Sequence, residues 1–134
     1  MITRIHHINF LVRDLEPAVE RYKALLSIDC VQYEELPERG VKTARFELDG
    51  TWIVLVQPVD PRGIPAQRLN EHGEGFFLIS YATDDLPEAI DAARQAGVKV
   101  LDQDTREGLS GWRVSDLDEA DLFGVDSQFT VTGN

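Results

Sequence analysis

The sequence predicts an α+β domain made of two repeated βαβββ halves, on three observations. Short β-branched apolar runs alternate with two helical stretches, and each helical stretch is opened by an aspartate, Asp14 or Asp85. The order of elements after each opening is the same. At a fixed offset of 71 positions, Ile8 falls on Ile79, Asp14-Leu15 on Asp85-Leu86, Ala18 on Ala89 and Val19 on Ile90. Further on the offset becomes 74 and sets Gly50 on Gly124, which implies a few residues inserted in the second half.

Arg4 to Val12 is the first strand, dominated by Ile5, Ile8, Phe10, Leu11 and Val12. Asp14 then stands at a helix N-cap, with Leu15, Ala18, Val19, Tyr22, Leu25 and Leu26 at helical spacing and Pro17 in the first turn, where its missing N–H costs little. Val31 to Tyr33, Lys42 to Leu48 and Thr51 to Val56 complete the half as strands, the last two joined by the hairpin signal Asp49-Gly50. Residues 59–75, rich in proline and glycine, read as a linker in which Ala66 to Glu71 forms a short helix. The second half begins with a strand at Phe76 to Thr83. Asp85 caps a helix carrying Leu86, Ala89, Ile90 and Ala93, and Gly97 closes it. Strands are expected at Val98 to Leu101, Gly111 to Ser115 and Asp126 to Val131. The single domain 1–134 is thus divided into halves 1–58 and 76–134.

The formal net charge is −11, from 24 acidic and 13 basic residues, and a field of that sign repels phosphate backbones and anionic membranes. No nucleic acid or membrane partner is expected. No segment approaches the roughly 20 apolar residues needed to cross a bilayer, and the N-terminal residues show no secretory pattern. The lone Cys30 excludes an internal disulfide, suits a reducing cytoplasm, and reads as a buried small hydrophobe.

Each half offers a sheet with a helix on one face and nothing on the other. Two such halves place their open faces around a central cavity, as a curved mixed sheet. Alternation assigns Ile8, Phe10 and Val12 to the helix face, and His7, Asn9 and Leu11 to the cavity; by the repeat, Phe76, Leu78, Ser80 and Ala82 also face inward. His6 then points to the other face and is structural.

His6-His7-Ile8, the Asp14-Leu15-x-x-Ala18 helix start, Gly50 before a strand and the repeated Asp84-Asp85-Leu86 resemble the vicinal oxygen chelate superfamily. That group includes glyoxalase I, bleomycin resistance proteins, ring-cleaving dioxygenases and methylmalonyl-CoA epimerase. The segment Glu34 to Lys42, Gly73-Glu74-Gly75, Ala96-Gly97-Val98 and Arg106-x-Gly108 look most like the epimerase. The resemblance spans nearly the whole chain and implies a glyoxalase-like fold. It also implies four ligands to a divalent metal, and these fall on His7, Val54, Leu78 and Gln128. Valine and leucine have no donor atom, and one imidazole with one neutral amide is fewer than the three protein ligands usual at a catalytic metal. The expectation is therefore no metal and no other cofactor.

In place of a metal, His7 is the candidate acid/base, with Asn9 and Gln128 orienting a carbonyl. The resemblance makes Glu35 the heir of an epimerase glutamate, although Gln128 cannot serve as its proton-exchanging partner. Trp52, Phe76 and Trp112 are candidates for an aromatic wall, Val54, Leu78 and Ser80 for further lining, and Arg106 for a carboxylate or phosphate contact, with Arg113 beside it. The leading expectation is a metal-independent member of this superfamily that binds, and transforms through His7, a mostly apolar small molecule. The alternatives are a divergent metal-dependent epimerase-like or glyoxalase-like isomerase or lyase, and a catalytically silent homodimer. Pairing of two chains is expected in any of these cases.

Overall fold

The computed structural model describes residues 1–101 and 106–132. Their elements are β1 (Ile2–Leu11), α1 (Leu15–Leu26), β2 (Gln32–Leu36), β3 (Val41–Leu48), β4 (Thr51–Pro58), α2 (Ile64–His72), β5 (Gly75–Thr83), α3 (Leu86–Gln95), β6 (Arg106–Glu107), β7 (Arg113–Asp116) and β8 (Ser127–Val131). The architecture is α+β and the βαβββ order occurs twice, as the repeat predicts. Two compact units are present, Ile8–Phe77 and the combination of Met1–His7 with Leu78–Asn134. Strand β1 contributes to both, changing unit between His7 and Ile8.

In the first unit the strand order is β2-β3-β4-β1. Antiparallel pairing runs from Gln32↔Arg45 to Leu36↔Val41 and from Val41↔Pro58 to Leu48↔Thr51. The hairpin turn has Asp49 at φ 49° and Gly50 at φ 92°, the left-handed pair that Asp-Gly supplies at low cost. Leu15 and Val19 of α1 pack on Val12, Ala44, Phe46 and Leu55. Leu55 thus lies under the helix, and alternation puts its neighbours Val54 and Val56 on the opposite face. Asp14 has the extended backbone of an N-cap, but its side chain makes no cap bond. Gln57 does that job instead: its Oε1 accepts from Leu15 N–H at 2.8 Å. Helix α2 starts earlier than expected, with a proline in its first turn. Cys30 is exposed, contrary to expectation, because it lies in the connection between α1 and the edge strand β2, outside the apolar core.

In the second unit the order is β1-β5-β8-β7-β6. Strands β5 and β8 are parallel, from Ile79↔Ser127 to Thr83↔Val131, and β7 is antiparallel to β8. Leu86, Ala89 and Ala93 of α3 pack on Leu117 and Phe129. Here the cap works as the sequence predicts, since Asp85 Oδ1 accepts from Glu88 N–H at 3.1 Å. Gly97, at φ 85°, closes the helix. The strand expected at Val98 to Leu101 is reduced to one bridge, Val100↔Leu117. Val98 and Val100 pack against the α3 core, while β7 takes Arg106–Glu107 as its ladder partner. A 3₁₀ turn at Leu109–Gly111 likewise delays the start of β7 to Arg113. Among the described residues, no helix is long and apolar enough to cross a membrane.

Candidate functional site

The most concentrated group of rings in the second unit is His6, His7 and Trp112. Both histidines are buried, and their Nδ1 atoms are 2.8 Å apart, so one donates a proton that the other accepts. His7 stacks on the Trp112 indole at 5.0 Å with 25° between planes, and His6 meets the same indole edge-on at 4.5 Å. Strict alternation, which assigned His6 to the far side of the strand, therefore fails at this pair. The physical reason is that the Nδ1 bond and the shared indole draw two neighbouring rings together. Burial, and secondarily the charge of Arg4, lower the His6 imidazole to about 4.

A second group lies on β5, β6, β7 and β8. Asp116 and Gln128 are cross-strand partners, and Gln128 Nε2 donates to Asp116 Oδ1 at 2.9 Å. The same carboxylate takes Arg106 Nε at 2.7 Å and Nη2 at 3.2 Å, a forked ion pair. Ser80, fully buried beside Gln128 in the register, shares a hydrogen bond with Thr130. Leu78 is buried on the same strand. Arg106 is thus committed to Asp116 in this structure, Trp112 to the histidine pair, and Arg113 stands exposed at the start of β7.

The first unit carries a third group, on the face opposite α1. Arg45 is buried, its Nη1 donates to Glu34 Oε1 and its Nη2 to Gln32 Oε1, both at 2.8 Å. Its guanidinium lies over the Trp52 ring at 5.1 Å, a cation–π distance. Arg45 is the cross-strand partner of Val54, which is fully buried. Asn9 of β1 is partly buried, and its Oδ1 is sequestered with no hydrogen-bond partner among the described residues. Glu35 is exposed and paired across the strands with Lys42, so it faces away from Glu34 and Arg45. Phe76 is half exposed and lines a recess of about 360 Å³ with Phe10, Leu11, Val12, Tyr22, Glu74 and Gly75.

A model of the Glyoxalase/Bleomycin resistance protein/Dioxygenase superfamily matches residues 6–115. The chain belongs to that superfamily. Human mitochondrial methylmalonyl-CoA epimerase is 27% identical over 123 residues, covering 91% of this chain and 70% of the human one. A Bacillus subtilis protein, YqjC, is 23% identical over 124 residues, covering 92% and 89%. A structure of methylmalonyl-CoA epimerase in complex with methylmalonyl-CoA and NH4+ superposes with a TM-score of 0.92 at 27% identity, over 99% of this chain and 96% of that one. A Streptomyces coelicolor methylmalonyl-CoA epimerase variant, in complex with 2-nitronate-propionyl-CoA, gives 0.92 at 28% identity and full coverage of both chains. The fold is therefore glyoxalase-like, and epimerases of this superfamily share it closely.

The superfamily's metal can be tested against the donors on these strands. At the positions that the resemblance assigns to ligands, Val54 and Leu78 offer only buried hydrocarbon. Gln128 directs its amide nitrogen at Asp116, and His7 has its Nδ1 engaged by His6. Among the described residues, no three His, Cys, Asp or Glu side chains are grouped closely enough to hold a metal ion. This donor set does not fit a catalytic divalent metal.

Sequence reasoning reached His7, Trp112, Gln128 and Arg106, but grouped His7 with Gln128 and Asn9, whereas the structure shows His7 with His6 and Trp112, and Gln128 with Asp116 and Arg106. It missed Arg45 and Asp116, the two charged residues directly across the strands from Val54 and Gln128. The signal was available: both lie on the inward parity of strands adjoining the ligand positions, where a charged residue has to be explained. It also chose Glu35, one residue from Glu34, whose side chain meets Arg45.

Proposed function

We propose that the chain binds a small acyl compound without a metal, on the sheet faces opposite its helices, and that His7 is the group able to move a proton there. The observation that carries this reading is the buried hydrocarbon at two of the four ligand positions, Val54 and Leu78. The likeness to epimerases solved with CoA esters supports an acyl compound as the ligand class. In the unit Ile8–Phe77, Trp52 and Val54 suit an apolar portion and Asn9 a polar one; in the other unit, taken by itself, Leu78 is the apolar lining and Ser80, Arg106 and Gln128 the polar lining. The His7 Nδ1 is engaged by His6 and the ring is held by its stacking on Trp112, so Nε2 is the nitrogen this reading assigns to proton transfer. Trp112 is thus a positioning residue, and Glu35 and Phe76 are given no role in this reading.

The test is metal analysis together with ligand binding. Protein purified without chelator should hold well under one transition metal per chain, and chelation should leave its affinity for methylmalonyl-CoA unchanged. Stoichiometric cobalt, zinc, nickel or manganese, with binding lost on chelation, would overturn the reading. A second reading, a divergent metal-dependent epimerase, is favoured by the TM-score of 0.92 to epimerase complexes. It requires metal-dependent entry of solvent deuterium at the α-carbon of a 2-methyl acyl-CoA. Self-association is a further part of the proposal, because β2 and β6 are the edge strands among the described residues of their two units. Light scattering of the purified chain would report it.

A further inference from the structure

The register of the two halves places charges at equivalent positions with their signs exchanged. In the first half Arg45 stands across from Val54 and pairs with Glu34 of the neighbouring strand. At the corresponding positions of the second half, Asp116 stands across from Gln128 and pairs with Arg106. The offsets of 71 and 74 that align the sequence also align these residues: 45 with 116, 43 with 114, 54 with 128. A cation thus flanks one ligand position, and an anion the other.

The strand on the far side of Val54 completes the row. Val12 N–H donates to Val56 C=O, a bond of the same kind as Ile79 N–H to Asp126 C=O in the parallel β5–β8 pair. Applying that register to β1 and β4 sets Asn9 beside Val54, as Ser80 is set beside Gln128. In the second half the row is closed by its own hydrogen bonds, Arg106 to Asp116, Gln128 to Asp116, and Ser80 to Thr130. In the first half the Val54 side chain has no donor or acceptor, and Asn9 Oδ1 is buried without a partner among the described residues. A buried amide left in this state points to a polar group that is supplied from outside the chain.

We propose that Arg45 and Asn9, on either side of Val54, form an oxyanion subsite that takes the carboxylate of a small acyl compound. The proposal rests on the metal-free reading above and names the charge that replaces the metal's. Three physical points favour it. The Arg45 side chain is 6% exposed and that of Glu34 29%, so solvent screens the carboxylate of the pair more than the guanidinium, which favours a second anion at Arg45. The guanidinium is already held by Glu34, Gln32 and the Trp52 ring, so binding costs it little conformational entropy. The Asn9 amide, turned about χ2, brings Nδ2 to the buried position and donates to the same oxyanion.

The experiment is calorimetric titration of chelator-treated protein with methylmalonyl-CoA and with propionyl-CoA, which differ by the carboxylate. Methylmalonyl-CoA should bind about tenfold tighter or more, the scale of one charge-assisted hydrogen bond. Arg45→Gln should remove that preference and Arg45→Lys restore part of it. The double variant Glu34→Gln/Arg45→Gln, which leaves no unpaired charge, should also lack the preference and should melt near wild type. Asn9→Leu should weaken methylmalonyl-CoA by about fivefold and propionyl-CoA much less. If the wild type binds both esters equally, the subsite is wrong while metal-free acyl binding stands. If the preference appears only with added divalent metal, the metal-free reading fails and the subsite with it. A folded Arg45→Gln protein that keeps the preference, or a wild type that binds neither ester, also overturns the subsite.

Discussion

Replacing Asp116 by alanine removes the carboxylate that joins Arg106 to Gln128, and the structure sets the size of the effect. Gln128 is 3% exposed, so losing the acceptor for its Nε2 leaves a donor in a dry place, at a cost of about 1–3 kcal/mol. The Arg106 pair is partly exposed, with side chains at 27% and 22%, and adds no more than about 1 kcal/mol after screening. The expected loss is therefore about 2–3 kcal/mol. For a chain of 134 residues, unfolding entropy of about 0.3 kcal/mol per kelvin converts this to a fall in Tm of about 7–10 °C. Asp116→Asn keeps an oxygen for Gln128 and loses only the ion pair, so its Tm should fall by about 3 °C. In the double variant Asp116→Ala/Gln128→Leu the orphaned donor is gone, and part of the lost stability should return. Differential scanning calorimetry reads all three. Equal losses for the alanine and asparagine variants, or a fall below about 1 °C for alanine, would refute the claim that Asp116 satisfies a buried amide.

Three further predictions concern stability. Asp14 and Asp85 occupy equivalent cap positions, but only Asp85 accepts a cap bond, so Asp85→Ala should cost about 1 kcal/mol in urea titrations and Asp14→Ala much less. Gln57→Ala should destabilise α1 by a similar amount, because Gln57 caps that helix from β4. The folded His6 imidazole titrates near 4, against 6.5 in the unfolded chain, so the unfolded state binds the extra proton first as pH falls. Its contribution is complete above pH 6.5 and is lost as pH drops toward 4, with about 2 kcal/mol of it gone by pH 5. His6→Asn should flatten the wild-type decline between pH 6.5 and 5, and an unchanged slope would show that His6 is not the group responsible.

The fold was legible because its determinants are local and occur twice. Period-two apolar runs, aspartates before helices and Asp49-Gly50 each specify an element within a few residues, and the repeat ties them to one order. What misled was chain that takes its partner from far away. Val98 to Leu101 has a strand's composition, but its apolar side chains are wanted by α3, and Arg106–Glu107 occupies the ladder beside β7. Asp14 looks like Asp85 in sequence, yet Gln57, 43 positions later, takes over its role. Local signals contain no term for either competitor.

The candidate site was legible in its subtractions more than in its additions. Val54 and Leu78 could be read as missing ligands because the resemblance to the superfamily assigns each position a role, and a residue with no donor atom cannot fill it. Arg45 and Asp116 could not be read the same way, since their meaning depends on which residue lies across the strand. That register fixes Arg45 to Val54 and Asp116 to Gln128 only once the hairpins are counted through Asp49-Gly50 and through the insertion that shifts the offset from 71 to 74. A slip of one residue there would have moved both charges to the helix face. The repeat, checked in three dimensions, therefore constrains the site more tightly than any motif: it requires that a charge beside one ligand position be explained together with its counterpart in the other half.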